Sequence, residues 1–281
     1  MTPPEHGSPP GDSADPAARP GPGILASVLG FAAKTAAIAE LELRKLRHDP
    51  TELAVRAVQP LLWLLVFGQV IAGVRGFPTG GLRYLDFMAP GVLAQSVLFV
   101  AIFHGITIIS ERDLGILQKY LVSPAPHAAI VLGKAISSAA RSVAMVALIY
   151  VLSAILGLSV NWHPLAIASV LGIAMLGATL FSSLSLIIAC LVKTRERMMG
   201  MGQVLTMPLF FASNAIYPLS IMPNWLKVIA VGNPLSYIVD AIRALLVTGD
   251  FSSIGIDMLV ICVSTIILVV LASLGFRRIL S

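Results

Sequence analysis

The residues best placed to do chemistry stand between two long apolar runs: Glu111-Arg112-Asp113-Leu114-Gly115-Ile116-Leu117-Gln118-Lys119-Tyr120-Leu121-Val122-Ser123-Pro124. Four charges fall within nine positions, and Leu114, Leu117 and Leu121 recur at i, i+3 and i+7. That spacing sets the leucines on one face of a short helix. The chemistry it offers is docking: an apolar stripe seats on something outside the membrane while the charges orient it. Other chemistries are poorly served. The nearest approach to a phosphate-cradling G-x-x-x-x-G-K-[ST] loop is Ala128 to Ala135, which keeps Gly133-Lys134 but has Ala128 for the first glycine and Ala135 for the hydroxyl. The amides, lysine and hydroxyl that surround a nucleotide's phosphates are therefore not assembled. His104 and His163 stand alone, and Cys190 and Cys262 lie inside apolar runs. Neither a clustered active site, a metal centre nor a disulfide framework is expected.

The elements that position this stretch must be membrane helices. Apolar residues fill 57% of 281 positions and charged residues 12%, against roughly a quarter charged in a soluble domain. The chain reads as an all-α integral membrane protein. Its net charge of +5 is small, and no nucleic-acid partner is expected. Residues 1–23, rich in Pro, Gly, Ser, Asp and Ala without periodicity, read as a disordered cytosolic tail. Residues 24–50 read as an amphipathic helix lying along the headgroups, with a soluble helix as the alternative. Six spans follow near Ala57–Val74, Pro90–Ser110, Ile136–Leu158, Leu165–Val192, Met198–Pro218 and Met258–Phe276, each near the roughly 20 residues a bilayer requires. Arg44, Lys45, Arg47, Arg56, Arg112, Lys119, Lys134, Lys193, Arg195, Arg197, Arg277 and Arg278 fall on one side; Arg75, Arg83, Lys227 and Arg243 fall on the other. The richer side is cytosolic. Both termini are then inside, and the plasma membrane is the expected location.

Between the fifth and sixth spans, residues 219–250 hold two apolar helical pieces, each too short to cross and separated by Gly232-Asn233-Pro234. Pro234 suits the first turn of the second piece. The pair either dips back into the outer leaflet, which requires cover from protein, or lies flat outside. Trp225 and Tyr237 suit the interface. Within the spans, Arg141 either snorkels inward, pairs internally or meets cargo. Gln95, Gln203 and Asn214 hold helices together or line a pathway. Gly172, Gly177, Ala178, Ser182, Ser183 and Ser185 allow close helix approach. Met207, Phe210 and Phe211, beside Pro208, make either a compliant wall for an amphipathic cargo or ordinary packing. No carboxylate falls between the ends of any expected span, which counts against a carrier driven by an ion gradient.

These residues carry a family resemblance. Tyr84-Leu85-Asp86-Phe87-Met88-Ala89-Pro90-Gly91, Glu111-Arg112-x-x-Gly115, Tyr217-Pro218 with Pro223-x-Trp225-Leu226, and Asn233-Pro234-Leu235-x-Tyr237-x-x-Asp240-x-x-Arg243 resemble the permease subunits of type-2 ATP-binding cassette exporters. The nearest branch is the daunorubicin-resistance type; polysaccharide and lipo-oligosaccharide export permeases are also similar. The resemblance covers about residues 24–281. It implies an interfacial helix, six spans, and an inner coupling helix at 111–124 carrying Glu111, Arg112, Leu114, Gly115, Leu117 and Leu121. It also implies outer re-entrant helices carrying Pro218, Pro223, Trp225, Asn233, Pro234, Tyr237, Asp240 and Arg243. The working unit it implies is two permeases with two ABC ATPases, the permeases forming a homodimer or heterodimer in membrane lipid. This chain would bind no cofactor, ATP and Mg being used by the partner. The expected cargo is a hydrophobic or amphipathic drug, polyketide or glycolipid, with polysaccharide or lipo-oligosaccharide as the alternative.

Overall fold

The computed structural model describes residues 58–73, 79, 81–115, 127–192 and 194–276. The expected tail at 1–23, the amphipathic helix at 24–50, and Leu117 and Leu121 with the rest of 116–124 lie outside the described residues. Among the described residues there is no strand. Helix α1 is apolar over Val58–Ile71, with a π turn at Trp63–Phe67. Helices α2 (Tyr84–Asp113), α3 (His127–Leu156) and α4 (Pro164–Leu191) are each 28 to 30 residues long. Helix α5 (Arg195–Phe211) has 17. After a 3-10 turn at Leu219–Ile221 come α6 (Asn224–Gly232) and α7 (Pro234–Arg243), the latter running into a π turn at Ala244–Thr248. Helix α8 (Gly255–Phe276) completes the described chain.

Among the described residues, four helices are long and apolar enough to cross a bilayer: α2, α3 over Val131–Leu156, α4, and α8 over Gly255–Gly275, with mean hydropathies of 2.0 to 2.7. The α6–α7 pair passes the same test as one element bent by 82°, which brings the number to five. Among the described residues a sixth does not meet this length, because α1 is described as apolar over 14 residues and α5 is 17 residues long. Helix α5 starts early, at Arg195, where Thr194 Oγ accepts the Arg197 N–H at 3.3 Å. It stops at Phe211 instead of reaching Pro218.

Packing explains the order of the layers. Helix α4 lies against α2, α3, α8 and α7, and α2 lies against α4, α3, α5 and α7. Of the small residues expected to permit this, Gly177, Ala178, Ser182, Ser183 and Ser185 are buried, while Gly172 faces open space. Ser185 Oγ donates to the Ile102 carbonyl at 2.5 Å, joining α4 to α2 in the bundle core. Helix α8 leaves Leu259, Val263, Ile266, Val270 and Leu274 uncovered, an apolar surface suited to lipid. In the preceding loop the Asp250 carboxylate accepts Ser252 Oγ at 2.7 Å and Ser252 N at 2.8 Å, bonds that hold it below the usual carboxylate range.

Candidate functional site

The two ends of α2 collect most of the residues that the sequence singles out. At one end, Glu111, Arg112 and Asp113 form the last turn of α2, not the first turn of a separate helix. The helix stops where Leu114 N–H bonds the Ser110 carbonyl at 3.0 Å and Gly115 turns left-handed at φ 71°. This corrects the expected start of the coupling element, and it reverses the electrostatics. A carboxylate near a helix C-terminus meets the negative end of the dipole. Glu111 is buried there and is held by the Lys134 ammonium at 2.6 Å, with Lys134 itself 0% exposed. The next two residues reach the other way: Arg112 donates to the Val192 carbonyl at 3.4 Å, and Asp113 lies 3.7 Å from Arg195. Three successive charges thereby fasten the end of α2 to α3 and to the junction of α4 with α5. Leu114, the first residue of the expected stripe, is 70% exposed.

Two helical turns away the pattern repeats. Arg141 is 4% exposed, so its head does not snorkel. It donates to Ser137 Oγ at 2.6 Å and lies 3.4 Å from His104 Nδ1. His104 and Glu111 are seven apart on α2, Lys134 and Arg141 seven apart on α3. Antiparallel helices bring such pairs level, which makes a polar ladder between them. In the sequence Lys134 stands out only within an incomplete phosphate loop and as one of the inner basic residues. The matched intervals were the signal that could have found the partner of Glu111.

At the other end of α2, Tyr84 O–H donates to the Ile216 carbonyl at 3.2 Å. Residues 212–216, directly after α5, are non-helical and all buried. Gly91 of α2 packs so closely on this stretch that a Cβ there would overlap the Ala215 carbonyl. Asn214, 3% exposed, donates from Nδ2 to Asp240 Oδ1 at 2.5 Å. Arg243 donates to the same carboxylate at 2.9 Å and to the Asn214 carbonyl at 2.7 Å, and its guanidinium lies 4.1 Å from the Phe87 ring centroid. Asn233 caps α7 by accepting Leu235 N–H at 3.0 Å, with Pro234 in the first turn. Its amide nitrogen donates back to the Leu209 and Ala212 carbonyls at 2.6 and 3.1 Å. Tyr237 O–H donates to the Val231 carbonyl at 2.8 Å, closing the bend. Pro218 and Pro223 precede the 3-10 turn and α6, and Trp225 is exposed on α6. Asp86 accepts Ser159 N–H at 2.9 Å.

The pathway candidates do not gather at one place. Gln95 lines a cavity of about 260 Å³ between α1 and α2, with Gln59, Pro60, Ser96, Phe99, Val100 and Phe103. Phe210 is buried beneath Trp63, ring centroids 5.5 Å apart, and Phe211 is 6.4 Å from the same indole. Met207 is exposed on α5. Asn214 belongs instead to the Asp240–Arg243 cluster. The span boundaries also change one inference: α2 runs beyond the expected Pro90–Ser110, so it includes Asp86 and Glu111, both already partnered. Among the described residues no group of three His, Cys, Asp or Glu could hold a metal.

Long apolar helices, a sharply bent helix pair and buried polar contacts at both ends of one helix describe a helical membrane domain. The chain belongs to the ABC-2 type transporter family, which it matches over residues 34–247. It is 29% identical over 236 residues to the daunorubicin resistance ABC transporter permease protein DrrB1 of Streptomyces coeruleorubidus, covering 82% of this chain and 80% of that protein. It is 31% identical over 206 residues to the putative transport permease ycf38 of Cyanophora paradoxa, covering 72% and 70%. Similarity to the probable doxorubicin resistance permease DrrC of Mycobacterium tuberculosis reaches 25% over 272 residues, covering 92% and 93%. Permeases of this family work with a separate ABC ATPase.

Proposed function

We propose that this chain is the membrane subunit of an ATP-driven exporter for a hydrophobic or amphipathic cargo, drawn from the inner leaflet or cytosol. The observation that carries the reading is the inner end of α2. Glu111, Arg112 and Asp113 bind it to α3 and to the α4–α5 junction, while Leu114 points away from the bundle. A partner that pulls on the 111–124 segment therefore moves four helices together, α2 with α3, α4 and α5. That partner is an ABC ATPase, which binds ATP and Mg and closes as a dimer. Two copies of the permease face each other. Six spans cross the plasma membrane with both termini cytosolic: α1 and α5 join the four long helices. The α6–α7 pair re-enters from outside and forms the exit gate, since α7 packs against α2, α4 and α8. The drug-resistance names of the relatives above favour a drug-like amphiphile.

The experiment is co-expression with its ATPase, followed by reconstitution in lipid discs and proteoliposomes. An amphipathic dye should be moved only with hydrolysable ATP, and mass spectrometry of bound lipophiles should identify the cargo. Transport by the permease alone, driven by a proton or sodium gradient, would overturn the reading.

A further inference from the structure

Helix α5 ends without the partners that a helix end needs, since the last four carbonyls of any helix have no intrahelical donor. Here the Ser213 N–H turns back to the Phe210 carbonyl at 3.2 Å and leaves Leu209. The Leu209 and Ala212 carbonyls receive the side-chain amide of Asn233 instead. The same side chain accepts the Leu235 N–H at the start of α7. One 4%-exposed asparagine thus caps the end of one helix and the beginning of another, 24 positions apart in sequence.

The surroundings of the two ends of α7 differ. Its far end is pinned by Asp240, Arg243, Asn214 and Phe87 together. Its near end lies beside an apolar groove of about 210 Å³ between Leu205, Pro208 and Leu209 on α5 and Ile229 and Gly232 on α6. The bend is therefore joined to α5 by hydrogen bonds across space that side chains do not fill. A close-packed joint resists separation everywhere along its surface; Leu235 and Ser236 at the start of α7 are buried in that way on the bundle, whereas the side facing α5 is closed by the two Asn233 bonds.

We propose that Asn233 is the positioning residue of an exit latch: its amide holds the α6–α7 bend against α5, and release of those two bonds lets the exposed α6 part from α5 at the bend while α7 keeps its place in the bundle. The proposal rests on the reading of this bend as the outer gate. It assigns to Asn233 a step in transport that is separate from its capping of α7.

Asn233→Asp separates the two roles. Aspartate caps a helix as well as asparagine does, but a carboxylate has no N–H to give the Leu209 and Ala212 carbonyls. The test uses the full permease with its ATPase, Cys190 and Cys262 replaced by alanine, and a reporter Ala212→Cys behind the latch. In intact cells without substrate, an impermeant maleimide should label the reporter roughly thirtyfold faster in Asn233→Asp, the factor carried by two ordinary hydrogen bonds. ATP hydrolysis should continue with less cargo moved per ATP. Ser252→Cys, in the exposed loop before α8, is the control for sidedness. Unchanged labelling in Asn233→Asp while Ser252→Cys reacts from outside overturns the latch alone. Reaction of Ser252→Cys only after permeabilisation overturns the outer-gate reading and the latch with it. A second measurement avoids the buried reporter: a reducible cross-linker joining Leu205→Cys to Gly232→Cys across the groove should stop export until reduced. Export at the normal rate with the link in place also overturns the proposal.

Discussion

Lys134 and Glu111 are the residues whose roles change most between sequence and structure. Glu111 is legible as a candidate because it opens a charged run, but its partner lies 23 positions away on another helix. Local spacing gives no access to such a pair unless two helices are compared at once. A buried ion pair that loses one member leaves an uncompensated charge, which costs about 3–5 kcal/mol. Lys134→Ala should therefore lower the unfolding temperature in detergent and deplete the permease from the membrane. Replacing both partners with apolar residues of similar volume is often neutral, so Glu111→Leu/Lys134→Met should recover the stability. It should remain impaired in export, because the bond that fastens α2 to α3 is gone. Recovery of full export by the double variant would show that the pair serves stability alone.

Among the elements, those governed by breakers were legible and those governed by tertiary partners were not. Gly232-Asn233-Pro234 marks the bend between α6 and α7, since proline at 234 begins a helix and restricts the residue before it. The four long apolar helices follow from composition. The end of α5 is harder to read: residues 212–216 contain neither glycine nor proline, and the one local signal is Ser213, whose Oγ donates to the Phe210 carbonyl and accepts the Ala215 N–H. Asn233, Arg243 and Tyr84 take up the carbonyls of that region from three directions, and sequence periodicity carries no trace of them. The coupling element is the reverse case, a helix start expected at Glu111 where α2 in fact ends. Its docking role has its own test. Leu114→Ala/Leu117→Ala removes methylene groups worth about 0.8 kcal/mol each when fully buried; at half burial the pair weakens ATPase binding roughly ten- to hundredfold. The variant should accumulate normally in the membrane while the ATPase shifts to the soluble fraction. Retention of the ATPase and of normal export would make this segment a mere surface loop.

For the molecule as a whole, charge asymmetry predicts the orientation and packing sets the layers. Cysteines introduced at Thr79 and Asn161 should react with an impermeant reagent from outside, and one at Thr194 should react only after permeabilisation. Labelling of Thr194→Cys in intact cells would invert the topology and place the α6–α7 bend in the cytosol. The site was legible as a set of residues and not as an assembly. The outer cluster joins Asn214, expected on the cargo pathway, to Asp240 and Arg243, expected at the gate. Gln95 opens instead on a cavity completed by α1, whose Gln59 was not singled out at all.

The short α5 has a consequence for the lipid around it. Its 17 residues rise about 26 Å, against roughly 30 Å of hydrocarbon, and its flank of Met199, Val204, Met207 and Phe211 is uncovered. A helix shorter than its solvent draws the two leaflets together at a cost of a fraction of a kcal/mol per Å. Thick bilayers should therefore work against the resting shape and thin ones should favour it. The turnover of the reconstituted exporter should accordingly vary with acyl-chain length in lipids of one headgroup, and a rate that is flat across that series would mean that neighbouring chains shield α5 completely. Bilayer thickness thus becomes an input to this permease, delivered through hydrophobic mismatch and without any ligand.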